Sequence, residues 1–318
     1  MKKLLELIFH KFTKVFIQKL DIDNKIIKDN NEKLEKSQNT INDLSGKNIY
    51  TDVDDDFLYV INKAIEYHQL SNLYDITIGP LTNLWNISNQ AEYCSITNSC
   101  HIPTLEKINN VKKLININNI DINNHKILLK EEGMKLDFGS IAKGFAIDKI
   151  NELIINYFKE NYQDEERFFI INFGGSINYH GNTTNYENKY GELYISYNDI
   201  NNPSDSLINI YPNKNNIVSS GNMERYIIVD DVKYSHILSP ITGYPIETNL
   251  SLVSIMNDTN IDADCLSTIL YMEGIEFINK LKELNTDYLI IDKDYNIYIS
   301  SNIKYKLLNS NYQIHIIQ

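Results

Sequence analysis

Cysteine is scarce in this chain, which has Cys94, Cys100 and Cys265 and no C-x-x-C pair. Structural zinc sites need cysteines and histidines at short, regular spacings, so this class of site is excluded. Cys94 and Cys100 lie in one polar loop. Two free thiols are the simpler expectation there, and a disulfide is the alternative. Cys265 is expected to fill a small space in the core.

Long apolar runs are also missing. No run of about 18 apolar residues occurs, so the sequence predicts no transmembrane helix. Residues 3–20 have apolar side chains at helical spacing, but His10, Lys11 and Lys14 interrupt them. This segment therefore predicts an amphipathic helix and not a secretion signal.

Positive charge is the third shortage. The chain has 30 Lys and Arg residues against 42 Asp and Glu residues, which gives a net charge of −12. A chain this acidic is not expected to bind nucleic acid or anionic membranes non-specifically. A polyanionic ligand would need a local cation, and a divalent metal ion is the natural one.

Helical and strand patterns are mixed along the 318 residues, a length sufficient for one large domain or two lobes. Residues 21–50 are polar and predict a loop or a frayed helix. The apolar spacing predicts helices at 54–70, 104–114, 141–158, from about 262, and at 276–284. Strands are predicted at 115–130 (a pair), 168–177, 192–197, 207–210, 215–238 (three strands, with a hairpin turn at Asp230-Asp231), 250–256, 287–292 and 295–300, before a short tail.

The stretch KLDFGSIAKGFAIDKI at 135–150 changes from strand to helical spacing at a glycine turn. Gly139 suits a sharp turn, because glycine tolerates positive φ. Lys143 and Gly144 then fall in the first helical turn, where backbone N–H groups and the helix dipole favour a phosphate. Such junctions are common, so the stretch alone is a weak signal.

Asp264 and Thr268 are four residues apart on a predicted helix, so their oxygens project from one face. They are hard ligands suited to Mg²⁺. The alternative is an aspartate stabilising the helix dipole and a threonine bonding back to its own helix. The neighbouring Asp262 is interpreted as the helix cap.

Three other residues have both a structural and a functional interpretation. His236 is either a general base, with a pKa suited to neutral pH, or a core histidine that holds a turn. Arg225 is either a phosphate contact or a surface ion pair. Trp85 follows the turn at Gly79-Pro80 and is either a buried side chain or a pocket wall.

Four blocks of the sequence, taken in order, resemble the FAD:protein FMN transferase (ApbE) family. They are YDITIGPLTNLW at 74–85, DFGSIAKGFAID at 137–148, NFGGSI at 172–177, and a series from SGNMERY to DADCLST between 220 and 268. The resemblance extends from about residue 4 to about residue 300. It implies a single α+β domain over 1–318, built as two interlocked lobes of mixed sheet and helices, related to T-folds, with FAD in the cleft between them.

The resemblance also implies a set of site residues. Mg²⁺ would be held by Asp264, Thr268 and the backbone carbonyl of Ser140. His236, Lys143 and Asp264 would be the catalytic residues, with His236 accepting a proton and Lys143 adding charge near the phosphates. FAD would be contacted by Asp75, Thr77, Gly79, Pro80, Leu81, Trp85, Lys143, Gly174, Gly175, Ser220, Gly221, Arg225 and His236.

The expected activity is the Mg²⁺-dependent transfer of FMN from FAD to a threonine or serine of a partner flavoprotein, with release of AMP. The alternatives are FAD hydrolysis to FMN and AMP, or FAD binding without catalysis. The family usually has a strand ahead of the first helix, and this strand is not found before residue 4. Either the true start lies upstream of the given sequence, or this member has lost the strand. The sequence shows no export signal and so favours the cytoplasm, whereas the resemblance favours the cell envelope.

Overall fold

The computed structural model describes residues 35–91, 100–163, 167–184, 187–188, 191–221 and 225–318. The chain divides into two compact units, each made of two separate stretches. The first unit comprises residues 1–141 and 222–247, and the second comprises residues 142–221 and 248–318. Both contain helices and antiparallel strands, which confirms the α+β fold class.

Among its described residues, the first unit contains two small sheets and three helices with the bounds given below, besides helical residues at 35–43 and 87–91. In elements numbered along the whole chain, it holds β1 (Thr51–Asp52), α1 (Asp55–His68), α2 (Gly79–Trp85), α3 (Leu105–Lys112), β2 (Ile120–Asn123), β3 (Lys126–Leu129), β9 (Tyr226–Val229) and β10 (Val232–Ser235). One sheet has the order β1-β3-β2, and the other is the hairpin of β9 and β10. The hairpin turns at Asp230 and Asp231, as the sequence predicts, and both residues have positive φ.

The first unit packs around Trp85, whose side chain is fully buried. Its neighbours in the apolar cluster come from separate parts of the unit: Leu81, Ile87, Ile108, Ile227 and Leu238. Helix α1 adds a second buried face, and its N-cap Asp54 accepts a hydrogen bond from the N–H of Phe57. Apolar spacing and the cap residue together explain why the predicted helix at 54–70 forms almost as expected.

The second unit is built on a seven-stranded sheet with the order β15-β13-β12-β11-β8-β5-β4. Among the described strands of this sheet, β13 and β15 pair in parallel and the other neighbours pair antiparallel. Its elements are α4 (Ala142–Tyr162), β4 (Phe169–Phe173), β5 (Ser176–His180), β6 (Ile195–Asn198), β7 (Ser206–Tyr211), β8 (Asn216–Gly221), β11 (Leu250–Asn257), α5 (Asn260–Glu273), α6 (Ile278–Glu283), β12 (Asp287–Asp292), β13 (Asn296–Ser300), β14 (Lys304–Leu307) and β15 (Gln313–Ile317). A three-stranded sheet, β14-β7-β6, completes the unit.

Residues 35–43 are helical, within the segment 21–50 for which the sequence predicts a loop or a frayed helix. Three sequence predictions need correction. Gly79 and Pro80 begin the short helix α2, because proline is tolerated in a first helical turn. The predicted short tail contains the strands β14 and β15. Cys100 is disulfide-bonded, so the expectation of a free thiol is wrong for this residue.

The amphipathic helix predicted at 3–20 and Cys94 lie outside the described residues. Cys265 is buried, as expected. Within the described ranges, no helix is long and apolar enough to cross a membrane.

Candidate active site

The buried carboxylate of Asp264 is the centre of the site in the second unit. Its side chain is 1% exposed, and it lies in the second turn of α5. One oxygen, Oδ1, accepts a hydrogen bond from Lys143 Nζ at 2.9 Å, and the other, Oδ2, accepts one from the N–H of Gly144 at 2.9 Å. Lys143 also donates to Ser176 Oγ at 3.2 Å. An ion pair this buried is favourable only when hydrogen bonds satisfy its remaining polar atoms, as they do here.

Gly144 allows the two helices to approach closely enough for these contacts. A Cβ atom at this position would lie 2.3 Å from the carbonyl oxygen of Asn260, at the start of α5. Only glycine fits without moving the backbone of α5. The N–H of Gly144, which the sequence offers to a phosphate, is occupied by Asp264 in this structure.

Helix α5 begins at a cap that differs from the predicted one. Thr259 is the N-cap, and its hydroxyl accepts a hydrogen bond from the N–H of Asp262. Asp262 lies three residues further along the helix, and its carboxylate accepts a hydrogen bond from the Thr259 hydroxyl at 2.7 Å. The interpretation of Asp262 as the cap is therefore wrong, and the pattern resembles a capping box instead.

Asp148 of α4 fixes the first turn of α5 from outside. Its carboxylate accepts hydrogen bonds from the backbone N–H groups of Asn260 and Ile261, at 2.8 and 2.9 Å. Burial raises the pKa of Asp148, and these backbone hydrogen bonds oppose that rise. Asp148 thus holds the helix that bears Asp264 and Thr268.

Thr268 lies one turn after Asp264 on the same face, as its spacing predicts. Its hydroxyl donates to the backbone carbonyl of Asp264 at 3.2 Å, and Ser267 donates to the same oxygen at 3.0 Å. Thr268 therefore makes the hydrogen bond back to its own helix that the structural alternative predicts. Its hydroxyl oxygen still has lone pairs, because it acts here as a donor.

Ser140, the remaining predicted metal ligand, belongs to the first unit, whereas Asp264 and Thr268 belong to the second. Among the described residues, no three His, Cys, Asp or Glu side chains form a group that could hold a metal ion. A metal at Asp264 would therefore have one carboxylate and would need oxygens from other sources. This fits the hard-oxygen chemistry of Mg²⁺, which usually keeps waters and substrate phosphates as ligands.

The turn that leads into α4 is built by Asp137 and not by a left-handed glycine. Asp137 Oδ1 accepts the N–H of Gly139 at 2.8 Å, and Oδ2 accepts the hydroxyl of Thr82 at 2.7 Å. Gly139 does not have positive φ, so the predicted reason for glycine at this position is wrong. A Cβ at Gly139 would lie 3.0 Å from Asp137 Oδ1, which favours glycine for a different reason.

Asp75 and Thr77, both predicted to contact FAD, are buried in the first unit. Asp75 Oδ1 accepts the N–H and the hydroxyl of Thr77, and Oδ2 accepts the N–H of Ile117 at 3.0 Å. Thr77 Oγ1 in turn accepts the N–H of Asn116 at 2.9 Å. These polar atoms hold two chain segments together.

The rest of the 74–85 block is also tightly packed. Leu81 and Trp85 are 0% exposed, and Trp85 Nε1 donates to the carbonyl of Gly243 at 2.8 Å. A Cβ at Gly79 would lie 2.6 Å from the carbonyl oxygen of Lys135. Pro80 is buried beside it. Trp85 is therefore a buried side chain, which is the first of the two interpretations of this residue. FAD contact by this block stays a prediction.

His236 lies at the base of the β9–β10 hairpin. Its N–H and its ring Nδ1 both lie 3.1 Å from the carbonyl oxygen of Arg225. Because a carbonyl only accepts, Nδ1 must carry the hydrogen, and in the neutral ring Nε2 is then the basic nitrogen. Arg225 itself is exposed.

The glycines and the serine predicted to contact FAD in the second unit lie at strand ends. Gly174 and Gly175 have φ of 54° and 90° and form the turn of the β4–β5 hairpin. Ser220 Oγ is 2.8 Å from Ser267 Oγ on α5. A Cβ at Gly221 would lie 2.7 Å from the carbonyl oxygen of Ser251, so this position requires a close backbone approach.

Sequence reasoning missed three residues that shape the Asp264 site: Ser176, Asp148 and Ser267. Asp148 follows Gly144 by four residues, so helical spacing puts both on the face that meets α5. That spacing could have indicated Asp148. Ser176 lies in the NFGGSI block, but no local pattern indicates that it accepts a hydrogen bond from Lys143, 33 residues away.

Comparison with known proteins identifies the family. A family model described as the ApbE family matches residues 6–290. The FAD:protein FMN transferase of Haemophilus influenzae is 27% identical over 295 residues, which covers 89% of this chain and 81% of that protein. The FAD:protein FMN transferase of Klebsiella pneumoniae is 26% identical over 248 residues and covers 76% of this chain and 71% of that protein.

Solved structures give the same result. The ApbE protein of Thermotoga maritima has a TM-score of 0.70 and 25% identity, covering 88% of this chain and 90% of that one. The flavin transferase ApbE from Vibrio cholerae has a TM-score of 0.65 at 21% identity, with 92% of each chain covered, and shows the shared fold. Since the family model matches most of its length, the chain belongs to the ApbE family.

Proposed function

We propose that this transferase moves FMN from FAD to a threonine or serine hydroxyl of a partner flavoprotein, in a Mg²⁺-dependent reaction that releases AMP. The relatives named FAD:protein FMN transferase, which cover most of the chain, support the reaction class. The observation that carries the proposal is the buried carboxylate of Asp264, with the Thr268 hydroxyl one turn further on the same helix face.

The donor set fits Mg²⁺, since a carboxylate and a hydroxyl are hard oxygen ligands, and the Lys143 ammonium shows that Asp264 Oδ1 already accommodates a cation. We assign Asp264, Thr268 and the carbonyl of Ser140 as the protein ligands. When bound, the cation supplies charge neutralisation at the phosphates, a large term in phosphoryl transfer. Lys143 adds a second positive charge.

The transfer itself exchanges one phosphorus–oxygen bond for another. The acceptor hydroxyl oxygen forms a bond to the FMN phosphorus, the pyrophosphate bond to that phosphorus breaks, and AMP leaves with the bridging oxygen. His236 Nε2 accepts the hydroxyl proton. The hydrogen bond from His236 Nδ1 to the backbone carbonyl oxygen of Arg225 holds the ring in the tautomer that this role needs.

The direct test is incubation with FAD, Mg²⁺ and an acceptor flavoprotein subunit, followed by mass spectrometry. Transfer predicts an acceptor that carries FMN and an equal amount of AMP. FMN and AMP without a labelled acceptor would indicate hydrolysis instead. FAD that stays intact with Mg²⁺ present would indicate a binding protein and would overturn the proposal.

His236→Ala tests the base. A base acts on the acceptor hydroxyl in the transition state, so FMN transfer should slow at least about a hundredfold while FAD affinity stays nearly constant. Thermal stability should be measured on the same preparation. Loss of stability and affinity in step with the rate would show that His236 only supports the turn.

A further inference from the structure

The carboxylate of Asp264, which we assign as a ligand of the divalent cation, is already paired with the Lys143 ammonium in this structure. The distance of 2.9 Å between Lys143 Nζ and Asp264 Oδ1 places the ammonium directly on one of the two carboxylate oxygens. A divalent cation binds such an oxygen at about 2.1 Å. Two cations on one buried oxygen repel each other strongly, because little water screens them. The present arrangement and a bound cation therefore exclude one another.

The two partners of Asp264 differ in their freedom to leave. The N–H of Gly144 belongs to the backbone of α4, which packs so closely against Asn260 that it leaves no room for a side chain. This N–H therefore cannot move away, and its hydrogen bond to Oδ2 keeps the Asp264 carboxylate oriented. Lys143 is instead a flexible side chain that is 26% exposed, against 1% for Asp264. The ammonium can reach solvent and the carboxylate cannot, so Lys143 is the partner that exchanges.

We propose that the Lys143 ammonium is a placeholder for the divalent cation: it balances Asp264 in the cation-free protein and leaves Oδ1 when the cation binds. This inference rests on the proposed function, which makes Asp264 a cation ligand. It gives Lys143 two successive tasks. Without a cation it prevents an unpaired buried charge, which would strongly destabilise the fold. With a cation bound, its charge is released for an anionic phosphate.

The test is Mn²⁺ binding to the full chain without nucleotide, measured by electron paramagnetic resonance of the unbound ion. Mn²⁺ is suitable because it takes the same oxygen ligands. Lys143→Met keeps the side-chain length and removes the charge. Mn²⁺ should then bind roughly tenfold or more tightly, because it no longer competes with an ammonium for a buried carboxylate. Mn²⁺ should also raise the melting temperature more in this variant than in the parent chain.

Two further variants keep the test decisive. Ser176→Ala removes the second hydrogen bond of Lys143 and leaves the ion pair, so Mn²⁺ should bind about threefold more tightly. If Lys143→Met does not fold, this variant decides, and an unchanged affinity overturns the proposal. Lys149→Met is the matched control, because Lys149 is on the same helix, 4.0 Å from Glu152, and should leave Mn²⁺ binding unchanged.

Asp264→Asn separates a failure of this proposal from a failure of the metal assignment. Mn²⁺ affinity that survives in Asp264→Asn would show that the metal binds elsewhere. Loss of binding in that variant, together with equal or weaker binding in Lys143→Met, would leave the metal site intact and overturn only the placeholder role.

Discussion

Two buried aspartates, one in each unit, solve the same electrostatic problem in different ways. Asp75 is surrounded by neutral donors, which are the N–H and hydroxyl of Thr77 and the N–H of Ile117. Asp264 has one backbone donor and one ammonium, from Gly144 and Lys143. Fixed donors suit a permanent structural bond, whereas an ammonium on a flexible side chain suits exchange.

The difference shows why burial alone does not identify a functional carboxylate. Both side chains belong to sequence blocks that resemble the ApbE family, and both are largely hidden from water. The chemical nature of the partner distinguishes them. These partners show that Asp75 supports the fold of the first unit, and we propose that Asp264 is the carboxylate whose partner exchanges on ligand binding. FAD contact by Asp75 stays a prediction.

The largest effect is expected for Asp264→Asn. This change keeps the shape and removes the charge, so FMN transfer should fall by about a thousandfold or more, the scale of losing a central electrostatic contact. Stability should change less than in Asp75→Asn, because Lys143 can turn to solvent. Turnover with Mg²⁺ and chemical denaturation measure the two quantities, and near-normal turnover would contradict the distinction.

Gly144→Ala should damage the Asp264 site through packing. The new Cβ would lie 2.3 Å from the carbonyl oxygen of Asn260, so α5 must shift, at a cost of about 3 kcal/mol in the free energy of unfolding. Denaturant titration measures this cost. Gly139→Ala is the matched control, because its nearest contact is a side-chain oxygen at 3.0 Å. Equal effects of the two changes would show that helix contact at Gly144 is unimportant.

Asp75→Asn should show the opposite pattern to Asp264→Asn. The amide of asparagine must place its N–H₂ group against a hydrogen-bond donor of either Thr77 or Ile117. The free energy of unfolding should therefore fall by about 2–3 kcal/mol. Turnover per folded molecule should stay within a few fold. Activity and denaturation measured on one preparation test this, and a large loss of turnover at unchanged stability would support the predicted FAD contact of Asp75.

The smallest effect concerns Asp148, a half-buried carboxylate that accepts backbone hydrogen bonds. Burial raises its pKa, so the folded state binds this proton more tightly than the unfolded state. Its contribution to stability is therefore fully present below the unfolded pKa, about 4, and is lost as pH rises through the folded pKa. The stability of the parent chain relative to Asp148→Asn should fall as pH increases from about 4. Urea denaturation at several pH values tests this sign, and parallel curves would contradict it.

The sequence by itself determined the local parts of this protein. Apolar spacing predicts α1 and α3, and the turn residues Asp230 and Asp231 predict the β9–β10 hairpin, because these features depend on neighbours a few residues away. The four-residue spacing of Asp264 and Thr268 places both on one helix face for the same reason. The sequence analysis predicts only a short tail where β14 and β15 lie, because their pairing with β7 and β13 is not specified by neighbouring residues.

Only the tertiary structure decided the partners of the buried polar groups. Lys143 and Asp264 are 121 residues apart in the chain, and Asp75 and Ile117 are 42 apart. No local pattern specifies which donor meets which carboxylate, since that depends on how helices and strands pack. The same holds for Gly144, because glycine is unfavourable in a helix by local propensity. It is needed at this position because a Cβ atom would lie 2.3 Å from the carbonyl oxygen of Asn260 in α5.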